Sequence, residues 1–316
     1  MLKLIDYLLP SCPAFMDTVR EFYNTVSKDD TVVLRKYIYN GNIFKKLFTF
    51  LANKFLFRLS YPLLDKNNHY FAMIMGLGYG GCLNVMLFKK HTSVYLFDVW
   101  PNTYPFFEYF FRKMKFEHVF LSSKSTVNYF NWKIVNTKFH WIPEGIDVNT
   151  YFSVDYSMKN IDILQFGRKY EYVHFNIMNS NVRYSYLYQK GDDKIFPSNF
   201  EFKKALAHTK VSLCFPAEIT HPEKAQGIST MTARYLQSMA SKCLVVGIMP
   251  EEMKELFDYM PIVEIDIENP YNHIEYILEH YDTYYDLIEK NYQYVKNFHS
   301  WKNRWEFIKS EILNVK

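Results

Sequence analysis

Residues 210–247 read KVSLCFPAEITHPEKAQGISTMTARYLQSMASKCLVVG, and the order of apolar and polar stretches in this segment decides the fold class. A short apolar run is followed by a long loop, an amphipathic stretch and a second apolar run. Apolar runs that alternate with helical stretches are typical of parallel strands joined by crossover helices. The segment therefore predicts a β-α-β unit whose helix begins between Gly227 and Thr230, with Ser229 or Thr230 as its N-cap.

The same alternation continues through most of the chain, and it predicts an α/β fold with parallel sheets covered on both faces. A polar stretch at residues 147–160 is the best candidate boundary, and it predicts two domains, residues 1–150 and 151–316. The predicted strands are residues 70–75, 93–100, 118–122, 139–143, 162–166, 182–188, 210–215, 244–248 and 262–265. The predicted helices are residues 198–208, 227–240, 251–257 and 269–279, with one or two long helices between residues 291 and 313.

Composition and charge exclude several classes of protein. Of the 316 residues, 49% are hydrophobic and 22% are charged, which excludes a disordered chain, a collagen-like chain and an integral membrane protein. The net charge of +4 is a mild excess that argues against nucleic acid and favours a phosphate-bearing small ligand or an anionic membrane surface. The chain has 4 cysteines without metal-binding spacing, so we expect reduced thiols. Charged residues interrupt its first apolar run, so we expect no signal peptide. Together these features predict a cytoplasmic location.

A glycine-rich segment, FAMIMGLGYGG at residues 71–81, gives the first of two phosphate-binding signals. Gly76, Gly78 and Gly81 match G-x-G-x-x-G after a predicted strand, and Asp98 ends the next predicted strand. Such a loop holds the pyrophosphate of a dinucleotide, and the acid binds the ribose. The pattern is consistent with an NAD- or FAD-dependent oxidoreductase, and equally with a tight strand-to-helix turn in any α/β domain.

The second signal combines FGRK at residues 166–169 with the amphipathic stretch that begins after Gly227. Gly167, Arg168 and Lys169 follow a predicted strand, and α/β proteins bind ligands at the carboxyl ends of their strands. The N–H groups at the start of the following helix favour an anion. Together they predict a diphosphate site.

Four motifs in this order resemble the broad group-one family of nucleotide-sugar glycosyltransferases with the GT-B fold. The motifs are IPEGID at residues 142–147, FGR at 166–168, G-x-x-T-x-x-x-R-Y-x-x-S-M-A-S-K-C-L-V-V-G at 227–247 and HSWKNRW at 299–305. The resemblance covers roughly residues 95–305. It implies two Rossmann-like domains that face each other across a cleft, with a C-terminal helix that returns to the first domain. It also implies sugar transfer from a nucleotide-diphosphate sugar to a glycan or lipid-linked acceptor.

The resemblance also implies roles for individual residues on the donor side. Arg168 and Lys169 would neutralise the diphosphate, and Arg234 would support the site. Gln237 stands where many members of the family have a glutamate that binds the ribose. The implied donor-binding residues are Gly167, Arg168, Lys169, Ser229, Thr230, Arg234 and Gln237, with Gly78 bordering the donor phosphate or the acceptor. Because no D-x-D motif is present, transfer without a metal ion or other cofactor is expected.

The sequence departs from the family pattern at two places. The family's pair of glutamates is replaced by Ser229 and Gln237, which leaves open a non-catalytic GT-B subunit that only binds its ligand. A lysine expected a few residues beyond Arg168 is missing, and His174 stands in that region. A nucleotide-sugar epimerase on the same fold is a further alternative.

The acceptor side offers three candidate catalytic residues. Asp98 ends a predicted strand of the first domain, whereas Glu218 and His221 belong to the long loop beside the donor site. Each has a side chain that can accept a proton from an acceptor hydroxyl. Residues 45–61, KKLFTFLANKFLFRLSY, are apolar with interspersed cations, which predicts either a core-facing helix or peripheral contact with an anionic membrane at its inner face.

Overall fold

The computed structural model describes residues 1–6, 17–36, 67–76, 86, 89–180, 183–188 and 195–313. The chain forms two compact units, the first comprising Met1–Glu144 with Trp301–Lys316 and the second comprising Gly145–Ser300. The units divide before the expected boundary at residue 150 because Ile146, Val148 and Tyr151 are buried in the core of the second unit. The last helix belongs to the first unit, as the resemblance implied, although the predicted domain limits placed it in the second.

Each unit is built on one parallel sheet. The strands are β1 (Leu2–Asp6), β2 (Val32–Lys36), β3 (His69–Met75), β4 (His91–Phe97), β5 (His118–Leu121), β6 (Lys138–Trp141), β7 (Ile161–Gln165), β8 (Tyr186–Tyr188), β9 (Thr209–Cys214), β10 (Leu244–Gly247) and β11 (Val263–Glu264). Within the described residues the first sheet has the order β2-β1-β3-β4-β5-β6, and the second has the order β11-β10-β9-β7-β8. Every paired strand runs parallel to its neighbour, which confirms the predicted α/β class.

The helices cover these sheets. They are α1 (Asp17–Val26), α2 (Tyr104–Met114), α3 (Lys124–Lys133), α4 (Glu171–Asn179), α5 (Asn199–Ala207), α6 (Ala217–Thr220), α7 (Pro222–Ala225), α8 (Ala233–Ala240), α9 (Pro270–Glu279), α10 (Tyr285–Phe298) and α11 (Trp301–Leu313). None of the helices within the described ranges is long and apolar enough to span a bilayer.

The core of the first unit explains why the last helix returns to it. Trp301 and Trp305 of α11 are almost fully buried, and their rings lie 5.4 Å and 5.9 Å from the ring of Phe22 in α1. Burial of large aromatic side chains supplies several kcal/mol each, on the order of 3–5 for a tryptophan cut back to alanine. The helix is therefore part of this core although it follows the second unit in sequence.

The second unit has apolar cores on both faces of its sheet. Leu164 of β7 and Val245 of β10 belong to the core that contains α8, whereas Ile163 and Val246 belong to the opposite core. Successive side chains of a strand point to opposite faces, so this near-continuous apolar pattern is the one expected of a parallel sheet buried on both sides.

The structure confirms the predicted strands after residue 67 and corrects several other elements. Strands β1 and β2 were not predicted, because LKLID carries two charges and VVLRK is a partly exposed strand at the sheet edge. Residues 251–257 form a short 3-10 helix, Glu251–Glu255, instead of an α-helix. The predicted helix at residues 227–240 begins only at Ala233. Residues 45–61 lie outside the described residues.

Candidate functional site

The topology of the second sheet marks where a ligand is expected. β8 pairs with one side of β7, and β9 pairs with the other side. The chain therefore changes direction across the sheet between β7 and β9, and open α/β sheets bind ligands in the crevice outside the carboxyl ends of such strands. The segments that follow these ends begin with Phe166 and Phe215.

Arg234, the second residue of α8, spans the two strand ends. Its Nη1 donates to the carbonyl oxygens of Phe166 and Arg168 at 3.4 Å and 3.3 Å, and its Nη2 donates to that of Phe215 at 3.4 Å. These hydrogen bonds are long, and together they hold the guanidinium between the two strand ends. A positive charge therefore lies at the crevice, in the region where the sequence analysis places phosphate groups.

Gly167 is required for this arrangement. Its φ of +72° lies in the left-handed region, and a Cβ at this position would lie 3.0 Å from Cδ and 3.1 Å from Nη1 of Arg234. Any larger residue would be strained and would push the arginine aside. The F-G-R motif thus serves the packing of Arg234 as well as any ligand.

The N-terminus of α8 differs from the prediction. The N-cap is Thr232, and neither Ser229 nor Thr230 caps the helix. The Thr232 side chain makes no capping hydrogen bond, and its buried Oγ1 has no partner among the described residues. A buried hydroxyl without a partner is costly, so this group needs either a ligand or a rotation toward the helix N–H groups.

Ser229 and Thr230 are both buried in the extended segment before α8. The Oγ and carbonyl oxygen of Ser229 accept hydrogen bonds from the backbone N–H groups of Glu251 and Glu252, at 3.1 Å and 3.0 Å. These contacts fasten the segment to the residues after β10. The helix start is therefore delayed to Ala233, because the preceding residues are held in an extended conformation.

His221 is exposed in the loop between α6 and α7, and Arg168 and Arg234 act on it electrostatically. Partial burial lowers the pKa of its imidazole first, and the positive charge of Arg168 lowers it further. Its Nδ1 lies 3.0 Å from Oγ1 of Thr220. The imidazole is therefore neutral at pH 7, as a proton acceptor must be.

Glu218 and Lys169 are more peripheral. Glu218 is partly exposed in α6 and has no hydrogen bond or ion pair within the described residues. Lys169 is partly buried, and its Nζ lies 3.7 Å from Oε1 of the exposed Glu171. A surface ion pair of this length is worth little, so the lysine charge stays available to a ligand.

Gln237 lies one turn beyond Ala233 on α8. Its Nε2 donates a hydrogen bond to the hydroxyl of Tyr151 at 2.9 Å. Nζ of Lys203 lies 4.3 Å from the centre of the Tyr151 ring, so a cation–π contact holds the tyrosine in place. The hydrogen bond to Tyr151 orients the amide of Gln237. The Gln237 side chain has no other hydrogen bond in the described part of the chain.

Sequence reasoning missed a polar network at the carboxyl end of β7. Tyr186 of β8 donates to Oε1 of Gln165 at 2.5 Å, and its oxygen lies 2.8 Å from Nδ1 of His174. Burial and then the charge of Lys169 lower the pKa of His174. Gln165 is fully buried, and its Nε2 has no partner among the described residues. These residues are distinguished from other polar residues by their burial and hydrogen bonds in the folded protein, so no pattern in the sequence predicted the network.

The first unit contains the remaining predicted residues. Asp98 follows β4 with a left-handed φ of 61°, and its Oδ1 accepts a hydrogen bond from Nε1 of Trp100 at 3.1 Å. Gly76 follows β3 with φ +51°, and a Cβ there would lie 3.7 Å from Cβ of Asp98. Gly76 and Asp98 are therefore neighbours after the carboxyl ends of β3 and β4. Gly78 and Gly81 lie outside the described residues.

Comparison with solved structures identifies the fold. HepE from Anabaena, solved in complex with UDP and glucose, has a TM-score of 0.59 at 9% identity, covering 99% of both chains. Sucrose-phosphate synthase from Thermosynechococcus elongatus has a TM-score of 0.61 at 11% identity, covering 100% of this chain and 99% of its own. TarM has a TM-score of 0.55 at 12% identity, covering 85% of this chain and 58% of its own.

These similarities confirm the predicted GT-B architecture of two Rossmann-like α/β units. No protein-family model matches the chain, and no curated protein matches its sequence. Because the sequence identities are only 9–12%, these similarities are evidence for the fold alone.

Proposed function

We propose that the chain is a glycosyltransferase that binds the diphosphate of a nucleotide-sugar at the carboxyl ends of β7 and β9. The observation that carries this proposal is Arg234, whose guanidinium spans those strand ends beside the N-terminus of α8. Arg168 and Lys169 add two cations to the same loop. The similar fold of HepE, which was solved with UDP and with UDP-glucose, supports a nucleotide-sugar as the ligand.

The chemistry of this site follows from the charge that develops in the reaction. As the glycosidic bond to the diphosphate breaks, negative charge grows on the departing phosphate oxygens. Fixed cations and the N–H groups of a helix N-terminus stabilise that charge without reorganisation, and loss of one such donor typically costs about 10²–10³ in rate. In this proposal Arg168, Lys169 and α8 fulfil that role at the donor without a metal ion.

The acceptor hydroxyl needs a group that takes its proton. His221 is the better supported candidate in the second unit, because its neutral imidazole experiences the charges of Arg168 and Arg234. Asp98 is the candidate in the first unit, where its left-handed backbone and the hydrogen bond from Trp100 fix its carboxylate. The proposed acceptor is a glycan or a lipid-linked sugar. The cytoplasmic location and the contact of residues 45–61 with anionic membrane stay predictions from the sequence.

The donor site is tested by replacing Thr232 with valine. This change removes a buried hydroxyl that has no partner, so the stability of the free protein should be unchanged or higher. If the hydroxyl turns to a phosphate oxygen, Thr232→Val should weaken UDP binding by about tenfold or more, since hydrogen bonds to charged groups are worth about 1.5–3 kcal/mol. Calorimetry with UDP, GDP and ADP measures the affinity.

Ser241 provides a matched control, because its buried Oγ likewise lacks a partner and it caps the other end of α8. Ser241→Ala should leave nucleotide affinity unchanged. Equal affinities of the parent and Thr232→Val would remove the hydroxyl from the site. Binding of NADH in place of every nucleoside diphosphate would favour the oxidoreductase, and UDP binding without turnover of any UDP-sugar would favour a non-catalytic subunit.

A further inference from the structure

Histidines stand at the amino ends of strands in the first sheet, opposite the carboxyl ends that Gly76 and Asp98 follow. His69, His91 and His118 are the first residues of β3, β4 and β5, and His140 lies within β6. Phe120 pairs with His140 in the strand register, so His118 and His140 are diagonal neighbours on one face. Nδ1 of His118 lies 3.0 Å from Nε2 of His140.

Glu311 of α11 completes a group of three with these two histidines. Its Oε2 lies 3.7 Å from Nδ1 of His140, and one ligand atom from each of the three residues lies within 4.8 Å of the others. His118 is almost fully buried, His140 is largely buried, and Glu311 is partly open to solvent. The group is therefore packed on the protein side and accessible from the side of α11.

The donor atoms suit a zinc ion. Tetrahedral zinc with two imidazoles and one carboxylate has metal–nitrogen distances of about 2.0–2.1 Å, which place neighbouring ligand atoms about 3.3 Å apart. The two nitrogens already lie near that separation. The carboxylate lies nearest Nδ1 of His140, the ring nitrogen that does not contact His118, so its long and partly exposed side chain must turn toward Nε2 by a change of rotamer to share one ion.

The surroundings of the two histidines act on their charge. Burial lowers the pKa of His118, and burial together with the neighbouring His118 lowers the pKa of His140 to about 4. Lys138 contributes to lowering both pKa values, and its positive charge opposes a bound cation, whereas Glu311 favours one.

We propose that His118, His140 and Glu311 bind one zinc ion, with water in the fourth position, and that the ion fastens α11 to β5 and β6. The three ligands come from elements that are far apart in the sequence, so they do not form a closely spaced metal-binding motif. The proposed zinc site is independent of the proposed donor site. Without metal, the ring N–H of one imidazole donates a hydrogen bond to the other across their 3.0 Å contact.

The test titrates ZnCl₂ into the full-length, chelator-treated protein and records calorimetry, the unfolding temperature and the metal content. We expect one equivalent of zinc and a rise in unfolding temperature, because a ligand that binds only the folded state stabilises it. Mg²⁺ should have no such effect, since it prefers oxygen ligands in octahedral geometry. No zinc-dependent rise in the parent protein would overturn the proposal.

Variants identify the ligands. His140→Asn and Glu311→Gln should each lower zinc affinity at least tenfold, while His91→Asn, which changes a histidine at the same sheet edge outside the group, should not. Lys138→Gln should raise zinc affinity because it removes a repelling charge. Unchanged affinity in His140→Asn, or equal losses in His91→Asn, would assign the zinc to other surface groups and refute the site.

Discussion

In the proposed donor site, Gln237 stands where the resemblance implies a carboxylate that binds the ribose. Its nitrogen is already committed to the Tyr151 hydroxyl, so the oxygen is the atom presented to a ligand. Gln237→Leu removes that acceptor and should weaken UDP binding by about 1–2 kcal/mol, or roughly five- to thirtyfold. Gln237→Glu keeps an acceptor, because the Tyr151 hydroxyl can turn to donate to it, and should preserve or improve binding.

The measurement compares UDP with 2′-deoxy-UDP by calorimetry. If Gln237 contacts the ribose hydroxyl, the parent protein should discriminate between the two nucleotides and Gln237→Leu should discriminate less. Tyr151→Phe is the control, because it leaves the amide but removes the partner that orients it, and it should give an intermediate loss. Identical discrimination in the parent and Gln237→Leu would mean that this residue belongs only to the helix surface.

Individual site residues were predictable to the extent that they follow strands. Gly167, Arg168 and Arg234 come together because the carboxyl ends of neighbouring parallel strands meet, which the order of motifs already implied. Thr232 and Gln165 were not predictable. Each of them has a buried polar side-chain atom without a hydrogen-bond partner among the described residues. This property depends on tertiary packing and not on residue type.

At the scale of elements, α11 is fastened by one carboxylate. Oδ2 of Asp29, in the turn between α1 and β2, accepts hydrogen bonds from Nε1 of Trp305 at 2.8 Å and from Nζ of Lys309 at 2.9 Å. Burial alone would raise the pKa of Asp29, but the hydrogen bonds from Thr31, Lys309 and Trp305 outweigh it and hold the pKa well below its usual range. The folded protein therefore favours the ionised form of this residue.

The resulting stability should depend on pH in a defined direction. A carboxyl whose pKa is depressed by folding stabilises the protein above its unfolded pKa of about 3.9, and this contribution is lost as the pH falls toward the folded value. Asp29→Asn should lower the free energy of unfolding by about 1–3 kcal/mol at pH 7, and the difference from the parent should shrink below about pH 4. Urea unfolding at several pH values measures it.

Asp30→Asn, which changes the exposed neighbour, is the matched control and should be nearly neutral at every pH. A loss in Asp29→Asn that stays constant from pH 7 to pH 3 would show that the carboxylate charge does not hold the helix.

The limits of elements were less predictable than their existence. Strands such as β3, β9 and β10 have near-continuous apolar runs and were predicted, because a strand buried on both faces leaves that pattern in the sequence. The start of α8 was predicted too early. Residues 229 and 230 favour a helix N-cap by type, but the hydrogen bonds of Ser229 to the segment after β10 override that local preference.

At the scale of the molecule, the chain leaves the first unit after Glu144 and returns at Trp301. A protein that ends at Ser300 would lose Trp301, Trp305, Ile308 and Ile312 from the core of the first unit. At about 3–5 kcal/mol for each buried tryptophan and about 2–5 kcal/mol for each buried isoleucine, this loss is roughly 10–20 kcal/mol, which matches or exceeds the stability of a typical domain, about 5–15 kcal/mol. The second unit keeps both of its own cores.

We therefore expect the truncated protein to lose amide protection in peptides from residues 1–144 while peptides from 145–300 stay protected. UDP should still bind and should increase protection around Arg234. Hydrogen exchange with mass spectrometry, with and without UDP, resolves both regions in one sample. Loss of protection throughout residues 145–300 would contradict the independence of the two cores.

Ile146 and Ser300 pair as neighbouring residues in a parallel bridge, so the second unit begins and ends at one point in space. A segment whose two ends are adjacent can be replaced by another segment with adjacent ends, and the chain on either side then keeps its spacing. Exchange of residues 145–300 for the corresponding segment of another protein with this fold would then replace the proposed donor site and leave residues 1–144 and 301–316 unchanged. Recombination at these two junctions offers a route by which proteins of this fold exchange one unit for another.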